Sequence, residues 1–279
     1  MTFTPQDALR PFPVRHCATP HGTVAYRSAG RAAAVTHVLL HGISSSSSNW
    51  AYQLCAAAAR ADRHVLAWDA PGYGASAPLA QLRPQAQDYA ERLWLWLDTL
   101  QVDTPVALVG HSLGALMATS AATLQPERVQ LLVLLAPALG YGDAPAAERD
   151  KKRDDRLALL QHLGPQGMAD TRTAAMLAPQ ADTAVVAAVR DNVARIDPVG
   201  YTQATHMLAQ GTLLRDLARV VCPVAVASGD LDTITPPANC AQAAQQAGVS
   251  RISLGPVGHI CPLEAPAAVN TLLQLEPGI

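Results

Sequence analysis

Five short segments, at residues 36–40, 64–68, 106–109, 130–135 and 223–227, are almost continuously apolar and run into turns containing Gly or Pro. That is the pattern of strands buried on both faces of a sheet. Residues 23–27 alternate like a half-buried strand, a short edge strand is predicted near 14–17, and a further strand at 251–254. Between the strands the period changes. Leu93, Trp96, Leu97 and Leu100 lie at helical spacing within 86–100, which predicts an amphipathic helix. Helices are also predicted at 50–60 with Asn49 as N-cap, from Ala115 onward, at 237–247 and at 266–275. Strand and helix alternate, so the fold class is α/β, a mostly parallel sheet with helices on both faces.

Residues 138–215 break this rhythm. Charged and alanine-rich helical segments follow one another with no strand between them. Gly164-Pro165, Ala178-Pro179 and Asp197-Pro198 divide them into about four short helices. The run 148–156 mixes both signs of charge, with Glu148 and Lys152 at i,i+4, as a solvated helix face does. The domain reading is an α/β core at 1–137 and 216–279, with a helical insertion at 138–215.

Composition closes off other classes. At 279 residues and 49% apolar, the chain can build one large core. A net charge of -2 points to no nucleic-acid partner. No apolar run reaches the roughly 20 residues of a membrane helix, and residues 1–17 lack the apolar stretch of a signal peptide. A cytoplasmic protein with no membrane partner is expected. Cys17, Cys55, Cys222, Cys240 and Cys261 are scattered and form no zinc or disulfide framework. His37 and His41 share a strand face without a carboxylate or cysteine partner, so no metal is expected. Residues 72–77 loosely match a dinucleotide loop, but Pro78 and Pro84 interrupt the helix it must open, so no cofactor is expected.

The chemistry concentrates where Gly110-His111-Ser112-Leu113-Gly114 joins the strand at 106–109 to the following helix. Glycine at both outer positions lets the chain turn sharply with serine at the apex, because neither carries a Cβ. A serine hydroxyl is a weak nucleophile at neutral pH and needs a base. Downstream lie His162, His206 and His259; the first two fall in the insertion. His259 follows a strand, at the carboxyl edge where open α/β sheets gather their chemistry. A carboxylate ending the preceding strand should hold that imidazole, and both Asp230 and Asp232 are available. Asp230, beside Gly229, suits a turn, so placement favours Asp232. An oxyanion hole needs two donors, each worth roughly 3–4 kcal/mol. They are expected from the N–H of Leu113 and, after His41-Gly42, that of Ile43. Ser44 to Ser48 read as a flexible polar loop. Trp50, Trp68, Met117 and Cys261 are expected to serve packing.

The set His41-Gly42, Asp69-x-Pro71-Gly72-Tyr73-Gly74-x-Ser76, Gly110-His111-Ser112-Leu113-Gly114, Gly229-x-x-Asp232-x-x-x-Pro236 and Gly258-His259 resembles the α/β-hydrolase superfamily. The motifs occur in the family's order across about residues 20–275. The resemblance implies the α/β-hydrolase fold, Asp232 as third member of a triad with Ser112 and His259, and residues 138–215 as a helical cap, or lid. Dehalogenases and epoxide hydrolases of this fold place Asp where this chain has Ser112. Carbon–carbon bond hydrolases of the superfamily often carry Asn before the serine and Trp after the histidine, where this chain has His111 and Ile260. The segment from His259 to Pro266 is more similar to small-ester and enol-lactone hydrolases. The expected activity is a serine esterase or lactonase acting on a small-molecule ester or lactone through an acyl-enzyme on Ser112. A carbon–carbon hydrolase for a ring-fission diketone and a catalytically silent ligand-binding member stand as alternatives. The physiological substrate, the mobility of the lid and the question of a homo-oligomer are left open by sequence.

Overall fold

A computed structural model describes residues 3–276. Its centre is one eight-stranded sheet built from β1 (Arg15–Thr19), β2 (Gly22–Gly30), β3 (His37–Leu40), β4 (His64–Trp68), β5 (Val106–His111), β6 (Val129–Leu135), β7 (Val224–Ser228) and β8 (Arg251–Ser253), in the spatial order β1-β2-β4-β3-β5-β6-β7-β8. β2 runs antiparallel to both β1 and β4, while every other pairing is parallel. This is the α/β-hydrolase fold. The α-helical segments among the described residues are α1 (Pro5–Leu9), α2 (Ala51–Ala58), α3 (Ala86–Thr99), α4 (Gly114–Leu124), α5 (Ala146–Arg172), α6 (Thr183–Ala194), α7 (Pro198–Gln210), α8 (Leu213–Leu217), α9 (Pro237–Gln246), α10 (Cys261–Glu264) and α11 (Pro266–Leu272).

Continuous apolar strands are required because both sheet faces are covered. Successive side chains point to opposite faces, and the two cores divide accordingly. Leu40, Leu66, Leu108 and Leu134 pack with Leu93 and Leu97 of α3 and Leu116 of α4. Their chain neighbours Leu39, Ala67, Val109 and Val133 pack instead with Leu54 of α2 and Val269 of α11. Each fully buried leucine contributes roughly 1.5–3 kcal/mol of transfer free energy, so a charged residue at any of these positions would break the layer it faces. Trp50, Trp68, Met117 and Cys261 are all buried in these cores. Among the described residues no helix is long and apolar enough to cross a membrane.

The start of α2 differs from expectation. Asn49 is not its N-cap. Ser46 caps a 3₁₀ turn, Ser47–Trp50, and α2 begins at Ala51. A serine hydroxyl satisfies the free N–H groups of a first turn as well as asparagine does, and the buried Asn49 sits inside the turn. The serine run is also fixed rather than flexible. The Ser47 N–H donates to Asp69 Oδ1 at 2.6 Å, and the Ser46 and Ser48 hydroxyls donate to Asn192 Oδ1 of α6 at 3.1 and 2.6 Å.

The first segment of the 138–215 stretch is divided at Gly164-Pro165 as expected. The chain leaves helical geometry at Gly164 (φ 62°, ψ 176°), so α5 is two helices that meet there at a kink. Leu160 and Met168 of α5, Val193 of α6 and Tyr201 of α7 form a core of their own. Gly200 of α7 abuts Gly72, so closely that a Cβ on either would overlap the other's backbone. α8 belongs to the sheet layer, with Leu213 and Leu217 buried in the α3–α4 core.

Candidate active site

Ser112 sits between the end of β5 and the start of α4 with φ 53°, a left-handed conformation that strains a non-glycine residue. Its surroundings hold it there. The Ser112 N–H donates to Leu135 C=O at 2.9 Å, and its own carbonyl accepts from the N–H groups of Ala115 and Ala138 at 3.0 and 3.1 Å. A Cβ on Gly110 would meet Gly114 and Ala115 backbone, and one on Gly114 would overlap the Leu40 carbonyl. Both glycines are therefore demanded by the close approach of α4 to the strand tips.

The structure brings together three side chains far apart in sequence. Ser112 Oγ lies 2.9 Å from His259 Nε2, and His259 Nδ1 lies 2.8 Å from Asp232 Oδ2. All three are buried, with exposures of 5%, 4% and 3% for Ser112, His259 and Asp232. A carboxylate can only accept, so Nδ1 carries the imidazole proton and Nε2 is left to accept from the serine hydroxyl. Asp232 Oδ1 also accepts from the N–H groups of Ile234 and Thr235 at 2.8 and 2.9 Å. Burial alone would raise the Asp232 carboxyl, but the bonds from His259 and Thr235 outweigh it and hold the group below the ordinary carboxylate range. Asp230, its sequence rival, lies near the surface instead, bonded to Arg251 at 2.7 Å and to the Ser253 hydroxyl at 2.6 Å. Neither His162 nor His206 lines the cavity at Ser112.

Ile43 and Leu113 line that same cavity, and among the described residues neither amide donates to a protein acceptor. A Cβ on Gly42 would stand 2.8 Å from Ser112 Cβ, so only glycine lets the β3 loop pass the serine. His41 orients this loop. Its Nδ1–H donates to the Gly42 carbonyl at 2.8 Å while Nε2 accepts the Ala70 N–H at 3.0 Å. Burial lowers its pKa, which keeps the ring neutral and suits that donor–acceptor pattern. Because the peptide is planar and trans, pinning the Gly42 carbonyl aims the Ile43 N–H the opposite way.

Two further residues support the site without being singled out by sequence. His111, driven down to about 3 by burial and by its neighbour His259, stays neutral and donates from Nε2 to the His259 carbonyl at 2.8 Å. Glu264 accepts N–H bonds from Ala178, Gly258 and Ile260. Its spacing, five residues beyond His259, was the available signal. A cavity of about 190 Å³ opens over Ser112, walled partly by Met168, Val189, Val193 and Tyr201 of α5–α7.

Comparison with known proteins supports the fold. The alpha/beta hydrolase family model matches residues 38–272, and the chain belongs to that family. It is 28% identical over 243 residues to the (E)-2-((N-methylformamido)methylene)succinate hydrolase of Acinetobacter baylyi, covering 85% of this chain and 88% of that one. It is 38% identical over 107 residues, 38% of this chain, to a dihydrolipoyllysine-residue acetyltransferase component of an acetoin cleaving system from Pseudomonas putida, of whose length it spans 28%. The enol-lactonase from Burkholderia xenovorans LB400 superposes with a TM-score of 0.81 at 23% identity, covering 94% of this chain and 99% of that one. At that identity the likeness is one of fold. The family and the full-length relative support a hydrolase and do not define its substrate.

Proposed function

We propose that the protein is a serine hydrolase that cleaves a small carboxylic ester or lactone through an acyl-enzyme on Ser112. The observation that carries this reading is the unbroken chain of hydrogen bonds from Ser112 through His259 to Asp232, opening into the cavity that the Ile43 and Leu113 amides line. His259 Nε2 takes the hydroxyl proton as Ser112 Oγ attacks the carbonyl, and Asp232 stabilises the imidazolium. The Ile43 and Leu113 N–H groups hold the developing oxyanion. His259 then protonates the departing alkoxide, which in a lactone stays tethered to the acyl group. Water, deprotonated by His259, releases the acid and restores the serine. The scissile bond is the same in ester and lactone, so one set of residues serves both.

In this reading residues 138–215 act as a cap that sets acyl size. A dry engineered cavity of about 150 Å³ holds benzene, so a space of about 190 Å³ favours a compact acyl group. The decisive experiment is labelling with a fluorophosphonate probe, followed by peptide mass spectrometry. An adduct on Ser112, absent from Ser112→Ala and strongly slowed in His259→Ala, is the expected result. Intact folded protein that takes up no probe overturns the reading. Turnover of a ring-fission diketone far above that of p-nitrophenyl esters would reassign the same residues to carbon–carbon cleavage.

A further inference from the structure

Two arginines of α5, Arg156 and Arg172, line the cavity over Ser112, whereas no Asp or Glu lines it. Other arginines of these helices are neutralised locally. Arg149 and Arg153 pair with Asp150, Arg153 also with Asp154, and Arg190 with Asp170. Among the described residues neither Arg156 nor Arg172 has a carboxylate within ion-pair distance, although both are partly buried. The hydroxyls of Tyr141 and Tyr201, which line the cavity with it, stand near the Arg156 guanidinium. Hydroxyls share its N–H donors but leave its charge uncompensated.

Removing a cation from water without an anion beside it is costly. A structural arginine would avoid that cost by facing solvent or an acidic side chain. A guanidinium kept at the wall of an acid-free cavity is instead matched to an anion that arrives with the ligand, and its planar fork fits a carboxylate through two parallel N–H···O bonds. We propose that the substrate carries a carboxylate besides the bond to be cleaved, held by Arg156, with Arg172 a second cation on the cavity wall. This rests on the serine-hydrolase reading and specifies the substrate class for it.

Matched esters differing only in that charge test the inference. On the acyl side the pair is mono-p-nitrophenyl glutarate and p-nitrophenyl valerate; on the alcohol side it is 4-acetoxybutanoate and butyl acetate. In at least one pair the wild type should prefer the carboxylated ester in kcat/KM by roughly 10- to 100-fold, the worth of a hydrogen-bonded charge pair. Arg156→Met should bring that ratio close to one, Arg156→Lys should retain part of it, and Arg172→Met should lower it less. Glutarate should also slow fluorophosphonate labelling of the wild type where valerate does not, a readout that needs no variant to fold. Ratios near one in both pairs with no protection by glutarate overturn the inference. So does an equal loss for both members of the preferred pair in a folded Arg156→Met. If Ser112 is labelled and the neutral esters turn over, such a failure leaves the serine-hydrolase reading standing. If no ester turns over and no probe binds, that underlying reading fails instead.

Discussion

Glu264 clasps the backbone on both sides of His259, accepting N–H bonds from Gly258 and Ile260 at 3.1 Å each. Its Oε2 also accepts the Ala178 N–H at 2.8 Å, tying the histidine loop to the segment before α6. Glu264→Ala strands three donors, each costing roughly 1–3 kcal/mol where burial keeps water away. The melting temperature should fall by several degrees. A misplacement of the imidazole on the order of 1 Å is worth up to about 100-fold in rate, so kcat should drop far more than KM changes. Glu264→Gln, which retains one carbonyl oxygen, should fall between the two. Wild-type labelling of Ser112 in a folded Glu264→Ala would show that the clasp does not position His259.

The pair Asp230 and Asp232 gives a contrast two residues apart. Asp232→Asn keeps the shape but can no longer hold the Nδ1 proton of His259 against a full charge. In the worked serine-protease example the equivalent change lowers kcat by about 10⁴-fold, and a loss of that order is expected. Asp230→Asn disturbs the bond from the Ser253 hydroxyl and the half-exposed pair with Arg251, the latter worth about 0–1 kcal/mol, both away from Ser112, and should leave turnover within a few-fold. Steady-state kinetics on the two variants check the assignment, and comparable losses in both would refute it.

That contrast also marks how far sequence reaches. The apolar runs ending at Leu40, Trp68 and Leu135 give the strands directly, because a sheet covered on both faces tolerates nothing else. Gly110 and Gly114 announce the sharp turn for a local steric reason. Local pattern only tilts the choice between the two aspartates, Gly229 favouring a turn at Asp230, because it is the tertiary path of the 228–236 loop that turns Asp232 toward His259. Asn49 misled for the opposite reason. It is a good capping residue, but Ser46 lies where the turn begins. The partner Asn192 carries no local signal, since it acts on a serine run that only folding brings near, while Glu264 offers no more than its spacing from His259. Arg156 was hidden within the run of mixed charge at 148–156, where period alone cannot say which of the series turns inward.

In the proposed mechanism His41 reaches the reaction only through the backbone it holds, the peptide of the proposed oxyanion donor Ile43. His41→Gln removes the ring that bridges the Gly42 carbonyl and the Ala70 N–H, releasing the peptide whose N–H belongs to Ile43. An oxyanion donor acts in the transition state and not on bound substrate, so kcat should fall by roughly 10- to 100-fold with KM nearly constant. Affinity for a boronic acid, which forms a tetrahedral adduct on the serine, should weaken in parallel. A change confined to KM would point to a purely structural histidine.

His37 gives a pH dependence that can be tested away from the chemistry. It is 7% exposed, and burial together with nearby Arg63 lowers its pKa to about 4 from the ordinary 6.5. Its Nε2 lies 3.0 Å from the Leu273 carbonyl, to which the neutral ring donates. Between pH 6.5 and 4 the unfolded chain binds a proton at this position that the folded chain does not. The neutral ring's contribution is therefore fully present above pH 6.5 and drains away as pH falls, by about 1.4 kcal/mol per pH unit. Below pH 4 His37 contributes no further loss, although His111, lowered to about 3, extends the decline. His37→Gln, which keeps a donor for Leu273, should be less stable at pH 7 yet show a shallower slope, reduced by about 1.4 kcal/mol per unit. Urea unfolding midpoints at pH 7, 6, 5 and 4.5 for both proteins measure that difference. Identical slopes would mean that His37 takes up its proton over the same pH range folded as unfolded, and that burial and Arg63 do not keep the ring neutral.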